Sequence, residues 1–135
     1  MKKVEVVAAI IITGKEILCM QRDKGAYEYL SYKYEFPGGK IEAGESRIDA
    51  LKREIREELD LKINIEEKDY FLSVQHQYPD FELTMHSYIC YVDSKEFVRK
   101  EHIDHRWVHP EKLNSLDWAE ADIPIVEKLM ELKVC

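Results

Sequence analysis

Gly39-Lys40-Ile41-Glu42-Ala43-Gly44-Glu45-Ser46-Arg47-Ile48-Asp49-Ala50-Leu51-Lys52-Arg53-Glu54-Ile55-Arg56-Glu57-Glu58-Leu59-Asp60-Leu61 is the stretch on which fold and chemistry turn. Its second half reads as a helix over Ser46–Leu59. Ser46 with Asp49 three residues on makes a capping-box pattern, and Asp60 closes the periodic run. At about 100° per residue, Ile48, Leu51, Ile55 and Leu59 fall on one stripe, which is therefore the core-facing one. Glu54, Glu57 and Glu58 fill an adjoining sector. Carboxylates spaced this way repel by a few tenths of a kcal/mol per pair, a cost that scattered lysines would remove. Two accounts of the sector stand side by side. One is a solvated acidic face tempered by Lys52, Arg53 and Arg56. The other is a site for a hard divalent cation, because Mg²⁺ prefers oxygen ligands and commonly binds a few carboxylates plus substrate phosphates. Spacing alone does not decide between them.

Outward from this helix the chain alternates strands and turns. Val4–Ile12 is a Val/Ile-rich buried strand, Thr13-Gly14-Lys15 a turn, and Glu16–Arg22 a second strand, so the chain opens with a hairpin. Asp23–Lys33 is a polar loop, and Tyr27, Tyr29, Tyr32 and Tyr34 alternate as in a strand edge or a lid. Phe36-Pro37-Gly38-Gly39 breaks any regular element. Ile63–Ile65, Tyr70–His76 and Phe81–Val92 read as strands, with Tyr78-Pro79-Asp80 as a turn, and Arg106–Val108 as a short strand. A last helix begins near Asp122, with Pro124 in its first turn and Ile125, Leu129 and Leu132 on one face. Strands mixed with two helices predict an α/β fold, a mixed sheet packed between helices.

The 135 residues fit one domain over 1–135, and 45% hydrophobic with 35% charged residues is a soluble globular balance. No stretch approaches the roughly 18 apolar residues of a membrane span; the longest run, Val6–Ile12, is strand length. Glu5 interrupts any signal-peptide core, so a cytoplasmic protein is expected. Cys19, Cys90 and Cys135 form neither a disulfide framework nor a zinc pattern and are expected to be reduced thiols. His102, His105 and His109, near Asp104, fit no common closed zinc site and read instead as strand-edge and loop histidines. A net charge of −7 argues against broad nucleic-acid or anionic-membrane binding. It stays compatible with a small polyanionic substrate where metal ions supply positive charge.

Context decides the acidic sector. The stretch 39–61 resembles the Nudix box: Gly, five residues, Glu, seven residues, Arg-Glu, an aliphatic, one residue, Glu-Glu, one residue, Gly, an aliphatic. Every position matches except the final Gly, where Asp60 stands; Asp tolerates the left-handed conformation wanted there better than most residues. Glu35-Phe36-Pro37-Gly38-Gly39-Lys40, Glu101 ahead of Trp107, and Ala121-Asp122-Ile123-Pro124 resemble the MutT-like branch that contains CTP and 8-oxo-dGTP pyrophosphohydrolases.

The resemblance implies an α/β/α sandwich and a Mg²⁺ site, with Mn²⁺ as a substitute. It assigns metal ligation to Glu54, Glu57 and Glu58 with the carbonyl of Gly38, and makes Glu101 an extra ligand or general base. Arg53 is grouped with Glu54, Glu57 and Glu101 in the catalytic set, bracing carboxylates rather than touching substrate, and Glu45 braces the loop or approaches the metal cluster. Arg22, Phe36, Gly39, Lys40 and Asp122 are the implied substrate contacts. For three of these a plain account stands beside it: a solvated strand-end Arg22, core packing for Phe36, and helix capping for Asp122. The implied reaction converts a (deoxy)nucleoside triphosphate to monophosphate and pyrophosphate, on oxidised nucleotides such as 8-oxo-dGTP or on CTP-type substrates. ADP-ribose, a nucleotide sugar or a dinucleoside polyphosphate would suit the same box, and a non-catalytic nucleotide-binding module is the remaining alternative. The implied partner is a nucleotide, with no nucleic acid or membrane, and the protein acts as a monomer or homodimer.

Overall fold

The long apolar run at the start becomes β1, Lys2–Thr13, the centre of the fold. Its burial explains the composition: Ala8, Ile10 and Ile12 enter one core, and Val7, Ala9 and Ile11 enter another on the opposite sheet face. A strand buried on both faces has no polar alternation, which is why Val6–Ile12 reads as continuous. The computed structural model describes residues 1–132; Cys135 lies outside the described residues.

β2 (Glu16–Gln21) returns from β1 through the Gly14 turn, where φ is +58°. β3 (Tyr34–Glu35) and β4 (Gly38–Lys40) follow, then β5 (Tyr70–Gln77), β6 (Phe81–Tyr91) and β7 (Asp104–Val108). The sheet runs β3-β2-β1-β6-β5, with β4 also on β1 and β7 also on β2. β1 pairs β6 in parallel from Lys2↔Phe81 to Ile12↔Tyr91, while the other strand-to-strand ladders among the described residues are antiparallel. The sheet is therefore mixed, as expected.

Helix α1 (Arg47–Leu59) closes one face and α2 (Ile123–Leu132) the other. Leu51, Ile55 and Leu59 are fully buried, so the stripe read from periodicity is the packed one. Ser46 caps α1, its Oγ accepting the Asp49 amide at 3.1 Å. Asp60 ends the helix at φ 50°, ψ 38°, the left-handed geometry inferred for the box departure.

Two local expectations fail. Ile63–Ile65 is no strand, although both isoleucines are buried beside α1. Their alternation around exposed Asn64 imitates a strand, but the segment pairs with no neighbouring strand. On α2, Ile125 and Leu129 are fully buried while Leu132 is 55% exposed, because the helix has passed the sheet by its last turn. Among the described residues, no helix is long and apolar enough to cross a membrane.

Candidate active site

Arg53 is the hub of the carboxylate helix. Its Nε donates to Glu45 Oε2 at 2.7 Å and its Nη2 to Glu45 Oε1 at 2.9 Å, a two-point fork. Nη1 donates to Glu54 Oε1 at 2.8 Å and Glu57 Oε2 at 3.3 Å, and Nη2 also reaches the Lys40 carbonyl at 3.0 Å. One guanidinium thus ties the loop after β4 to two carboxylates of α1. The bracing role read for Arg53 and Glu45 matches this geometry. Arg53 hydrogen bonding, aided by the Glu42 amide, holds Glu45 down at about 2.

Glu58 is the buried member of the set, 4% exposed. Its Oε1 accepts the Gly38 amide at 3.2 Å. Burial pushes its carboxyl up to about 9, and Glu35, Glu101 and Glu54 push the same way. Burial also raises Glu54, against the pull of Arg53. Among the described residues, neither Glu58 nor Glu101 has an ion-pair partner. A buried carboxylate crowded by others and lacking a cation fits a hard divalent ion. No closed cage of three such groups exists among the described residues, so water and substrate oxygens would have to complete the coordination.

The two glycines ahead of the helix serve packing. A Cβ on Gly38 would run into the Val7 carbonyl oxygen and lie 2.8 Å from Ala8 Cα; one on Gly39 would overlap the Glu54 carboxylate. Gly38 therefore lets β4 lie against β1, and Gly39 lets α1 bring Glu54 up to that strand. The resemblance implied a metal-ligating carbonyl for Gly38 and a substrate contact for Gly39; the backbone contacts give a more immediate reason for a glycine at each.

Glu101 arrives on the segment between β6 and β7. That segment docks on the end of α1: Val98 N–H donates to the Leu59 carbonyl at 2.9 Å and Lys100 N–H to that of Glu58 at 3.2 Å. Two carbonyls that a helix end leaves free are satisfied, and Glu101 is carried to the carboxylates.

Two clefts meet here. One, about 370 Å³, is mostly apolar, with Val6, Phe81 and Met85 among its walls and Asp122 at one side. The other, about 300 Å³, is lined by Glu58, Glu101, His102 and the Lys24 region. Arg22, Glu35 and Gly38 border both. Lys40 and Gly39 line the apolar cleft, as does Phe36. Phe36 is only 3% exposed and stacks on Trp118 with centroids 4.8 Å apart, so its ring is first of all a core contact.

Asp122 is 5% exposed, and its Oδ2 accepts the Phe36 amide at 3.0 Å. It bonds to β3–β4 chain rather than capping α2, which removes the capping account. Burial and the nearby Glu35 push its carboxyl well above the ordinary 3.8.

A family model described as NUDIX domain matches residues 2–129. The chain belongs to the NUDIX family. The CTP pyrophosphohydrolase of Escherichia coli is 36% identical over 133 residues, spanning 98% of this chain and 96% of that protein. The 8-oxo-dGTP diphosphatase of the same organism is 30% identical over 132 residues, spanning 98% and 100%. The solution structure of MutT, a Nudix hydrolase of methicillin-resistant Staphylococcus aureus, superposes with a TM-score of 0.76 at 37% identity, covering 98% of this chain and 99% of that one. This chain is thus a MutT-like NUDIX hydrolase, of a family that generally uses divalent metal ions and acts on nucleotides.

The NUDIX helix, Glu101, Arg22 and the β3–β4 segment come together as the sequence suggested. Two residues escaped it. Glu35 spans both clefts, with Oε1 taking Arg22 Nη1 at 3.0 Å and Oε2 taking His102 Nε2 at 2.8 Å. Its place directly before the Phe-Pro-Gly-Gly break was the available signal. His102, which reads from the sequence as an edge or loop histidine rather than a zinc ligand, is the second. The three histidines have separate partners: Glu35 for His102, Arg99 for His105, and Glu16, 3.9 Å away, for His109.

Proposed function

We propose that this NUDIX hydrolase cleaves a (deoxy)nucleoside triphosphate to the monophosphate and pyrophosphate, on oxidised or CTP-type nucleotides. The observation that carries the reading is the pair of clefts joined at Arg22, Glu35 and Gly38. An apolar chamber with one buried carboxyl suits a base and sugar, and an acidic chamber beside it suits phosphates accompanied by cations. The names of the two Escherichia coli relatives support the same class of substrate.

Glu54, Glu57, Glu58 and Glu101, with the Gly38 carbonyl, would hold Mg²⁺ or Mn²⁺. When bound, such an ion neutralises phosphate charge and makes a water more acidic. The chain's own groups do the rest. Arg53 holds Glu54 and Glu57 in place, Arg22 offers its guanidinium to the phosphates at the cleft junction, and Lys40 adds a second cation at the rim. Asp122 has one oxygen occupied by the Phe36 amide. Its other oxygen is available to accept from an exocyclic amine of the base.

A panel of normal and modified triphosphates with Mg²⁺ should release pyrophosphate and monophosphate, and a chelator should abolish turnover. No pyrophosphate from any member would remove this reading. Monophosphate plus a sugar phosphate from ADP-ribose or a nucleotide sugar would replace it with the ADP-ribose or nucleotide-sugar alternative.

Asp122→Asn keeps an acceptor for the Phe36 amide and removes the charge. The order of preference among bases is expected to change in that panel. Stability gives an independent check. A carboxyl raised in the folded state holds its proton longer than in the unfolded chain, so its contribution to stability falls as pH rises above the ordinary 3.8. Asn has no such loss. The melting temperature of the variant should match wild type near pH 3.8 and exceed it at neutral pH; equal melting temperatures at both would refute the buried-charge account.

A further inference from the structure

His102 stands outside the NUDIX motif, and its environment is unusual for a loop residue. Its side chain is only 6% exposed. Nε2 lies 2.8 Å from Glu35 Oε2, so with a carboxylate opposite it this nitrogen is the donor. Nδ1 is buried and has no partner among the described residues. A surface-loop imidazole serving only itself would turn that nitrogen to water, because an unmet buried polar atom is costly. Here the ring forgoes solvation of Nδ1 and keeps Nε2 on Glu35.

The surrounding backbone fixes the ring from both sides. Lys100 N–H is bonded to the Glu58 carbonyl at 3.2 Å, and Ile103 N–H to the Gln21 carbonyl at 3.0 Å. The segment therefore spans from the end of α1 to the end of β2, and His102 projects inward between these anchors. Across from it, Glu35 has one oxygen on His102 and the other on Arg22, whose side chain is 38% exposed and otherwise free to swing. Arg22 borders both clefts, whereas His102 lines only the acidic one.

We propose that His102 is a positioning residue that acts through Glu35, fixing the carboxylate that aims Arg22 at the nucleotide. This rests on the nucleotide reading of the two clefts. Without the His102 donor, Glu35 is held on one side only and the Arg22–Glu35 pair can rotate away from the cleft junction. Substrate binding should suffer more than the chemical step, since the carboxylates of α1 keep their own ties to Arg53.

The test uses His102→Leu, which keeps bulk without a donor, and His102→Gln, whose amide nitrogen can take the place of Nε2. Each is made in the wild-type and Glu35→Gln backgrounds. Three quantities are read: KM and kcat for a triphosphate that wild type hydrolyses, and the dissociation constant of its α,β-methylene analogue by calorimetry. His102→Leu should raise KM and the dissociation constant about tenfold, the scale of one hydrogen bond to a charged group, with kcat within about threefold. His102→Gln should recover most of that, and His102→Leu should add little once Glu35→Gln is present. Unchanged binding in His102→Leu, a fall confined to kcat, failure of Gln to recover binding, or an undiminished effect in the Glu35→Gln background would each overturn the proposal. If wild type binds the analogue but hydrolyses no triphosphate, the hydrolytic reading fails, and the calorimetric arm still decides the role of His102. A destabilised Leu variant is separated from a mispositioned one by the Gln variant and by melting curves.

Discussion

Glu57→Gln is expected to lower kcat for pyrophosphate release by about a thousandfold at saturating Mg²⁺, within the range typical of a lost group at the reacting centre. The melting temperature should change by no more than a few degrees. The two expectations separate because of where Glu57 sits. Its side chain is 56% exposed and its one ion pair among the described residues, to Arg53, is 3.3 Å long, so little of the fold depends on it. Glu58, by contrast, is buried against the Gly38 amide, and changing it would mix structural and catalytic losses. Gln keeps the shape and an acceptor oxygen while deleting the charge that a divalent ion requires. Turnover that survives Glu57→Gln would mean that the acidic face of α1 is solvated decoration and that a non-catalytic binding module is the better description.

Gly38→Ala should be the most damaging small change in the chain. Its Cβ has nowhere to go: the Val7 carbonyl and the Ala8 Cα are backbone atoms of the central strand and cannot step aside as a flexible side chain would. β4 would have to lift from β1, putting at risk its pairs Val6↔Lys40, Val7↔Gly39 and Ala8↔Gly38. A cost of about 3 kcal/mol or more is expected, equivalent to a fall of about 10 °C in melting temperature. Activity should fall with it, because the Gly38 amide holds Glu58 and Gly38 lines both clefts. Gly25→Ala, where nothing lies within 4 Å of the added carbon, is the matched control and should be nearly neutral. Calorimetric unfolding of both variants decides the matter; a Gly38→Ala protein melting within 2 °C or so of wild type would show that β4 is not held as closely as described.

Legibility in the sequence followed the range of the interactions. Helix α1, its Ser46 cap and the left-handed Asp60 are local matters of periodicity and side-chain reach, and all three were readable in advance. β1 was readable because burial on both faces leaves an unbroken apolar run. Ile63–Ile65 misled, since alternation reports which side chains are buried and says nothing about whether the backbone finds a partner strand. Leu132 misled for a related reason: a helical face extends along the chain for as long as the pattern lasts, whereas the sheet beneath it ends.

The site shows the same division. The carboxylates and Arg53 were carried by a dense motif. Asp122 could be placed near a base or at a helix end, and only the fold, by setting its carboxyl on the Phe36 amide 86 residues away, removed the second option. Glu35 and His102 are 67 residues apart, and no local rule pairs them. The reason for Gly39 likewise needs Glu54 in view.

The parallel pairing of β1 with β6 has a consequence for how the molecule comes to exist. Eleven consecutive pairs, from Lys2↔Phe81 to Ile12↔Tyr91, join β1 to a strand made much later. During synthesis Val6–Ile12 leaves the ribosome with half of its ladder not yet translated, and closing so long a loop makes such pairing slow. In the meantime the β1–β2 hairpin offers the pairs Ile12↔Ile17 and Thr13↔Glu16, and β4 adds Val6↔Lys40, Val7↔Gly39 and Ala8↔Gly38 on the same edge, which leaves the β6 edge open. The most apolar segment of the chain therefore waits exposed, a target for chaperones or for its own copies, until β6 arrives to seal it.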